Sequence, residues 1–210
     1  MTPRILVAGQ PAGTSAWRGL VAAAATGTAL DDGLRLAFVL RPGRWVDLDT
    51  LAESTARGLR DAGALHPRYA GLDAVLCTKA FGAQPGAVIT PVAAASLAGS
   101  PPGPEAVAVT DTAVPRRDNR TAKRAWRERI AAAWNRDMVL EGPSWADVEL
   151  AVTGSLFGPL EVVLDGLEPV LGRDPRGRSW QEFFPNDDRI EWLRVRRRGG
   201  AGLTLRLGPC

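Results

Sequence analysis

Asp47 and Asp49 stand on either side of a leucine in "RWVDLDTLAESTARGL", residues 44–59, just before a helix-like pattern. Two carboxylates so close are chemically useful when they share a hard divalent cation, which takes oxygen ligands and keeps several waters. They are equally explicable as the acidic start of a helix. Thr50 and Glu53 in "TLAE" have capping-box spacing, and acids in a first turn favour the positive helix end by about 0.3–1 kcal/mol each. Rival chemistries are thin. His66 is the one histidine, and Cys77 and Cys210 are the two cysteines, which leaves no zinc cluster, no disulfide framework and little room for a histidine-activated nucleophile. Asp31 and Asp32 before Gly33 read as a turn, and "GAQPGA", residues 82–87, reads as a hairpin turn without phosphate-loop spacing.

The elements that must position Asp47 and Asp49 occur twice. "AWRGLVAAA" from Ala16 matches "AWRERIAAA" from Ala125, pairing Trp17 with Trp126. Each half opens with an apolar strand, "RILVA" or "AVAVT", followed by the helix carrying that tryptophan, capped by Thr14 or Ser15 in one case and Thr121 in the other. A middle strand follows, "LRLAFVL" from Leu34 or "VELAVTG" from Val148. A second helix comes next, 50–62 or about 159–171, and a strand pair closes each half: "LDAVLCTK" with "GAVIT", and "DDRIEWLRV" with "GLTLRL". The expected fold is α+β, two tandem β-α-β-α-β-β units at residues 1–99 and 106–210. They are joined by the proline-rich linker "SPPGPE", 100–105, and form an intramolecular pseudo-dimer. The interval from Leu36 to Leu59 exceeds that from Leu150 to Leu167, so the second half is expected to lack the residues around Asp47 and to carry Ser155 and Phe157 in place of the two acids. Tryptophans at framework positions (Trp17, Trp126, Trp134, Trp145, Trp192) read as core, with base stacking the alternative.

This order of elements, with an Asp-x-Asp loop opening a helix and an acid opening the next strand, resembles the RusA family of Holliday-junction resolvases. "DLDTLAE" matches that family's Asp-x-Asp motif at Asp47 and Asp49, and "LDAVLCTK" places Asp73 on the later of two adjacent strand-start acids. In the second half "NDDRIEWLRV" matches both of those acids with Asp187 and Asp188, but its Asp-x-Asp is missing, so these two mark a degenerate second site. The resemblance implies Asp47, Asp49 and Asp73 as catalytic ligands of Mg²⁺ or Mn²⁺, in an endonuclease acting on branched DNA with one active site per chain. Three carboxylates about 5 Å apart repel by roughly 3 kcal/mol per pair at an effective dielectric near 20, which a cation relieves while it activates water. Thr50 replaces the motif's asparagine and Glu53 its lysine. These departures favour the alternative of a catalytically inactive protein that binds nucleic acid or a partner.

Net charge is only +3 over 210 residues, but it is unevenly spread. Arg116, Arg117, Arg120, Lys123 and Arg124 are the expected phosphate contacts, and Arg194, Arg196, Arg197 and Arg198 form a second basic run, with a solvated surface as the plain alternative for both. Apolar runs such as 21–25 and 36–40 are far too short to cross a bilayer, and no signal core opens the sequence, so a cytoplasmic location is expected.

Overall fold

The computed structural model describes residues 4–111, 113–115, 119–136, 138–177 and 180–210. It is mixed α+β and built on one eight-stranded sheet. The first half supplies β1 (Ile5–Ala8), α1 (Ser15–Ala25), β2 (Gly33–Leu40), α2 (Leu48–Asp61), β3 (Ala74–Phe81) and β4 (Gly86–Val92). The second supplies β5 (Val107–Asp111), α3 (Arg120–Trp134), β6 (Ser144–Leu150), α4 (Phe157–Asp165), a short α5 (Glu168–Leu171), β7 (Ile190–Arg197) and β8 (Leu203–Pro209).

The strand order is β1-β4-β2-β3-β7-β6-β8-β5, which places the two halves in mirrored sequence about the β3–β7 seam. Within each half the pairings repeat. β2 lies parallel to β3 and antiparallel to β4, as β6 lies parallel to β7 and antiparallel to β8. The seam is antiparallel, with Cys77 opposite Leu193. On one face Leu34, Leu36, Phe38 and Leu40 of β2 continue into Cys77, Leu193, Val195, Ala146, Val148 and Leu150, all in one apolar core beneath the helices. Period-two burial explains the strands, since every second side chain meets the helical layer.

The helices repeat a contact as well. The Trp17 indole donates to Thr55 Oγ1 of α2 at 3.1 Å, and the Trp126 indole donates to the Val163 carbonyl of α4 at 3.0 Å. Both tryptophans are fully buried, as the core reading expects. Each crossing is close enough to need a glycine. A Cβ on Gly58 would lie 2.7 Å from Val21, and one on Gly166 would lie 2.5 Å from the Trp126 ring.

Several expectations change in detail. β6 begins at Ser144 rather than near Val148, so Leu36 corresponds in register to Ala146, and the connections 41–47 and 151–156 differ by one residue; α4 is the shorter helix, not the loop. Leu156 and Gly158 therefore occupy the counterparts of Asp47 and Asp49, one residue from the expected Ser155 and Phe157. The pattern expected at about 159–171 is two helices, with α4 closing at the Gly166 C-cap and α5 carrying a proline in its first turn. Thr14 caps α1 as expected, but Asn119 rather than Thr121 caps α3.

The back of the sheet is covered by a 3₁₀ turn, Ala94–Leu97, and the chain after it. Arg194, buried on that face, donates to the carbonyls of Leu97 and Gly99 and makes a two-pronged ion pair with buried Asp147 at 2.9 and 2.8 Å. The "SPPGPE" segment lies against the end of β8, because a Cβ on Gly103 would collide with the Pro209 carbonyl. Among the described residues no helix is long and apolar enough to cross a membrane.

Candidate metal centre

The turn after β2 delivers Asp47 to the N-cap of α2 and Asp49 to its first turn. Asp47 makes no side-chain capping bond, and Glu53 pairs with Arg57 at 2.8 Å instead of reaching back to Thr50, so the capping-box explanation of these acids is not realised. The helix still begins here, because Leu48, Leu51, Ala52, Thr55 and Leu59 form its buried stripe and draw it onto the sheet.

The third carboxylate beside them is Asp187, not Asp73. Oxygens of Asp47, Asp49 and Asp187 lie within 4.8 Å of one another. Topology dictates the exchange. β2 and β3 run parallel, so the acid preceding β3 sits at the opposite end of the strands from the turn following β2, about 25 Å away along eight extended residues. β7 runs antiparallel to β3, so its start lies beside the end of β3 and brings 187–188 to Asp47. Asp187, expected to mark a degenerate second site, thus completes the first, while Asp188 pairs with Arg176 at 2.6 Å. Asp73 pairs with Arg197 at 2.8 Å. Arg197 also donates to the carbonyls of Val152 and Gly154, so a guanidinium fills the turn that corresponds in the second half to the one bearing Asp47.

Lys79, near the end of β3, closes the centre from below. Its buried ammonium donates to the Val46 carbonyl at 3.3 Å and to the Asp188 carbonyl, tying the two acid-bearing turns together. Sequence reasoning missed it; the available signal was a lysine in an otherwise apolar alternation, "AVLCTKAF". Burial, only partly opposed by Asp47 and Asp188, lowers the affinity of Lys79 for its proton.

Charge is poorly compensated at the carboxylates. Burial first and Asp47 second push Asp49 up to about 7. Burial also raises Asp47, against the pull of Lys79, and raises Asp187 well above the usual carboxylate range, with Asp47 and Asp49 adding to the shift. Asp49 Oδ1 is sealed from solvent and has no hydrogen-bond partner, an arrangement that ordinarily costs about 1–3 kcal/mol or more. Three convergent carboxylates, one of them with an orphaned oxygen, form the donor set that a small hard cation takes, with the remaining positions left to water.

The carboxylates open into a cavity of about 520 Å³, walled by Trp45, Glu53, Arg57, Asp165, Arg176 and Phe184 among others. Arg57 and Arg176 are the cations on this wall, each with nearly half its side chain exposed. The expected phosphate contacts lie elsewhere. Lys123 pairs with Asp165 at 2.9 Å and Arg124 pairs with Glu182, whereas Arg120 is exposed. Arg116 and Arg117 lie outside the described residues. Much of the second basic run is held internally: Arg194 and Arg196 pair with Asp147, Arg196 also pairs with Glu149 at 2.6 Å, and Arg198 donates to the Thr204 hydroxyl. Exposed His66 accepts from the Arg68 amide and is remote from the acids in the sequence.

No protein-family model matches the chain, and neither does any curated protein.

Proposed function

We propose that this chain is a divalent-cation-dependent, structure-selective endonuclease acting on branched DNA. On this reading it is a tandem duplication folded as an intramolecular pseudo-dimer, with one metal centre per chain. The mirrored strand order and the repeated tryptophan contacts support the duplication. The observation that carries the activity is the convergence of Asp47, Asp49 and Asp187 in an open cavity with the Asp49 Oδ1 orphaned.

Asp47, Asp49 and Asp187 would hold Mg²⁺ or Mn²⁺. Such an ion supplies charge stabilisation to a phosphodiester and lowers the pKa of a bound water. The chain's own groups do the rest. Lys79 keeps the two acid-bearing turns in register, and the exposed guanidiniums of Arg57 and Arg176 offer donors to the non-bridging phosphate oxygens. A four-way junction labelled on one strand tests the reading. Incubated with Mg²⁺, it should be nicked, and Asp49→Asn should abolish the nick; equal activity in that variant would assign the cut to something other than this centre.

A second reading has its own support. Lys123, Arg124, Arg194 and Arg196 are held by acids of the same chain, which leaves a weak phosphate-binding surface and favours the catalytically silent alternative, and within it another partner over nucleic acid. Calorimetric titration with Mn²⁺ separates the two, because the nuclease reading requires uptake that disappears in Asp47→Asn.

A further inference from the structure

Beside the acidic cavity lies a second one of about 590 Å³, and the two share Trp45, Asp174 and Arg176 as a common wall. We propose that this second cavity is a nucleobase slot, which takes an unpaired base next to the phosphodiester held at the carboxylates. The proposal rests on the nuclease reading above and adds the feature of the substrate that is recognised.

Four observations support it. Trp45 is 55% exposed and Phe81 39% exposed, although both are large and apolar and the chain has a well-filled core. Their rings meet edge to face, with centroids 5.8 Å apart and planes at 64°, so the indole is braced by Phe81 while much of it stays exposed. Pro143 and Pro175 add flat apolar surface to the same slot, and Arg176 and Arg189 bring guanidiniums, a mixture suited to a planar heterocycle carrying polar edges. The spacing is also suitable. Trp45 precedes Asp47 by two residues, so their Cα atoms are at most about 7 Å apart, a distance within one nucleotide of backbone.

Arg176 stands between the two cavities. It is held by Asp174 and Asp188 yet nearly half exposed, where it can meet the phosphate between a base in the slot and a scissile bond at the acids. Stacking on an aromatic face tolerates any base, so the slot reads the absence of pairing rather than the sequence. Duplex DNA keeps its bases stacked and inaccessible. A branch point, flap or mismatch offers one at little cost.

The test uses the full chain with Ca²⁺ in place of Mg²⁺ and junctions carrying 2-aminopurine at one unpaired position or, as control, inside a fully paired arm. The unpaired probe should be quenched on binding and the paired one should not. Trp45→Ala should remove the quench and weaken binding of the unpaired substrate by about 5- to 100-fold, while Trp45→Phe retains most of both; circular dichroism of each variant reports that the fold is kept. Binding of plain duplex should change less than twofold. Absence of quenching in the parent protein, or an equal loss on paired and unpaired substrates, would overturn the slot. Mn²⁺ uptake by the parent and by Asp47→Asn is measured separately. If uptake fails while the quench persists, the metal reading falls and the base slot stands; if uptake holds without the quench, the reverse is true.

Discussion

Asp49 carries an uncompensated electrostatic cost, because one of its oxygens is both buried and unpartnered. Its consequence can be read from pH. The folded chain holds the Asp49 proton up to about 7, whereas a carboxyl in the unfolded chain releases it near 3.8. Between those values the native state binds more protons than the unfolded state, so the contribution of Asp49 to stability should fall as pH rises from about 4 to about 7. Asp47 and Asp187 shift in the same direction, while Asp147 and Asp174 are lowered, so their stabilisation is lost only in more acidic solution. Thermal melts of the metal-free protein should show this decline, and Asp49→Asn should flatten it. Mg²⁺ favours the ionised carboxylates and should therefore raise Tm more at pH 8 than at pH 5; an equal rise at both would detach the ion from these groups. Lys79 offers a second check. Lys79→Met leaves the Val46 and Asp188 carbonyls unpaired, which should cost about 1–3 kcal/mol, or roughly 2–4 °C of Tm per kcal/mol, and should weaken Mn²⁺ uptake because the two turns are no longer tied.

Strand direction decides which acids meet. β3 and β7 start at opposite ends of their antiparallel pair, so of the acids preceding these two strands it is the one entering β7 that meets the turn after β2. Asp187→Asn should therefore abolish Mn²⁺ uptake in calorimetry, while Asp73→Asn should leave it intact and affect only the Arg197 pairing; the opposite pattern would contradict the register. This contrast marks how far the sequence could be read. The order β-α-β-α-β-β in each half follows from apolar periodicity and the repeated Ala-Trp-Arg, and the placement of Asp47 and Asp49 at a helix start follows from the same pattern. The third ligand does not, because the antiparallel seam at Cys77–Leu193 is a long-range pairing with no local signature. The frame of β6 was hidden for another reason. Trp145, Asp147 and Glu149 alternate with Ala146, Val148 and Leu150, and the outward set looks solvated until Arg194, Arg196 and Arg206 are seen to neutralise Asp147. The run Arg194, Arg196, Arg197 and Arg198 reads as a phosphate-binding surface for the same reason, since a charge run in sequence does not disclose the strand opposite it.

At the scale of the whole molecule, two similar halves enclose dissimilar centres. The first turn carries Asp47 and Asp49 and receives Asp187 from the other half. The corresponding second turn has Leu156 and Gly158 at those positions, and the acid that the first half sends it, Asp73, is already neutralised by Arg197. A guanidinium at that point removes the reason to take up a cation: it supplies a positive charge and five donors, and it cannot be deprotonated under ordinary conditions. On the nuclease reading proposed above, a chain with one cation-ready centre should cut one strand of a four-way junction per encounter, whereas resolution requires two cuts related by the junction's symmetry. A supercoiled plasmid with an extruded cruciform distinguishes these outcomes. One nick releases the supercoil, the cruciform is reabsorbed, and the product is an open circle; paired cuts made before release yield a linear molecule. Open circles should accumulate first, with linear product absent or delayed at protein concentrations that keep the chain monomeric. Prompt linearisation under those conditions would show a second working centre, and Arg197→Ala would then be the variant in which to look for its metal.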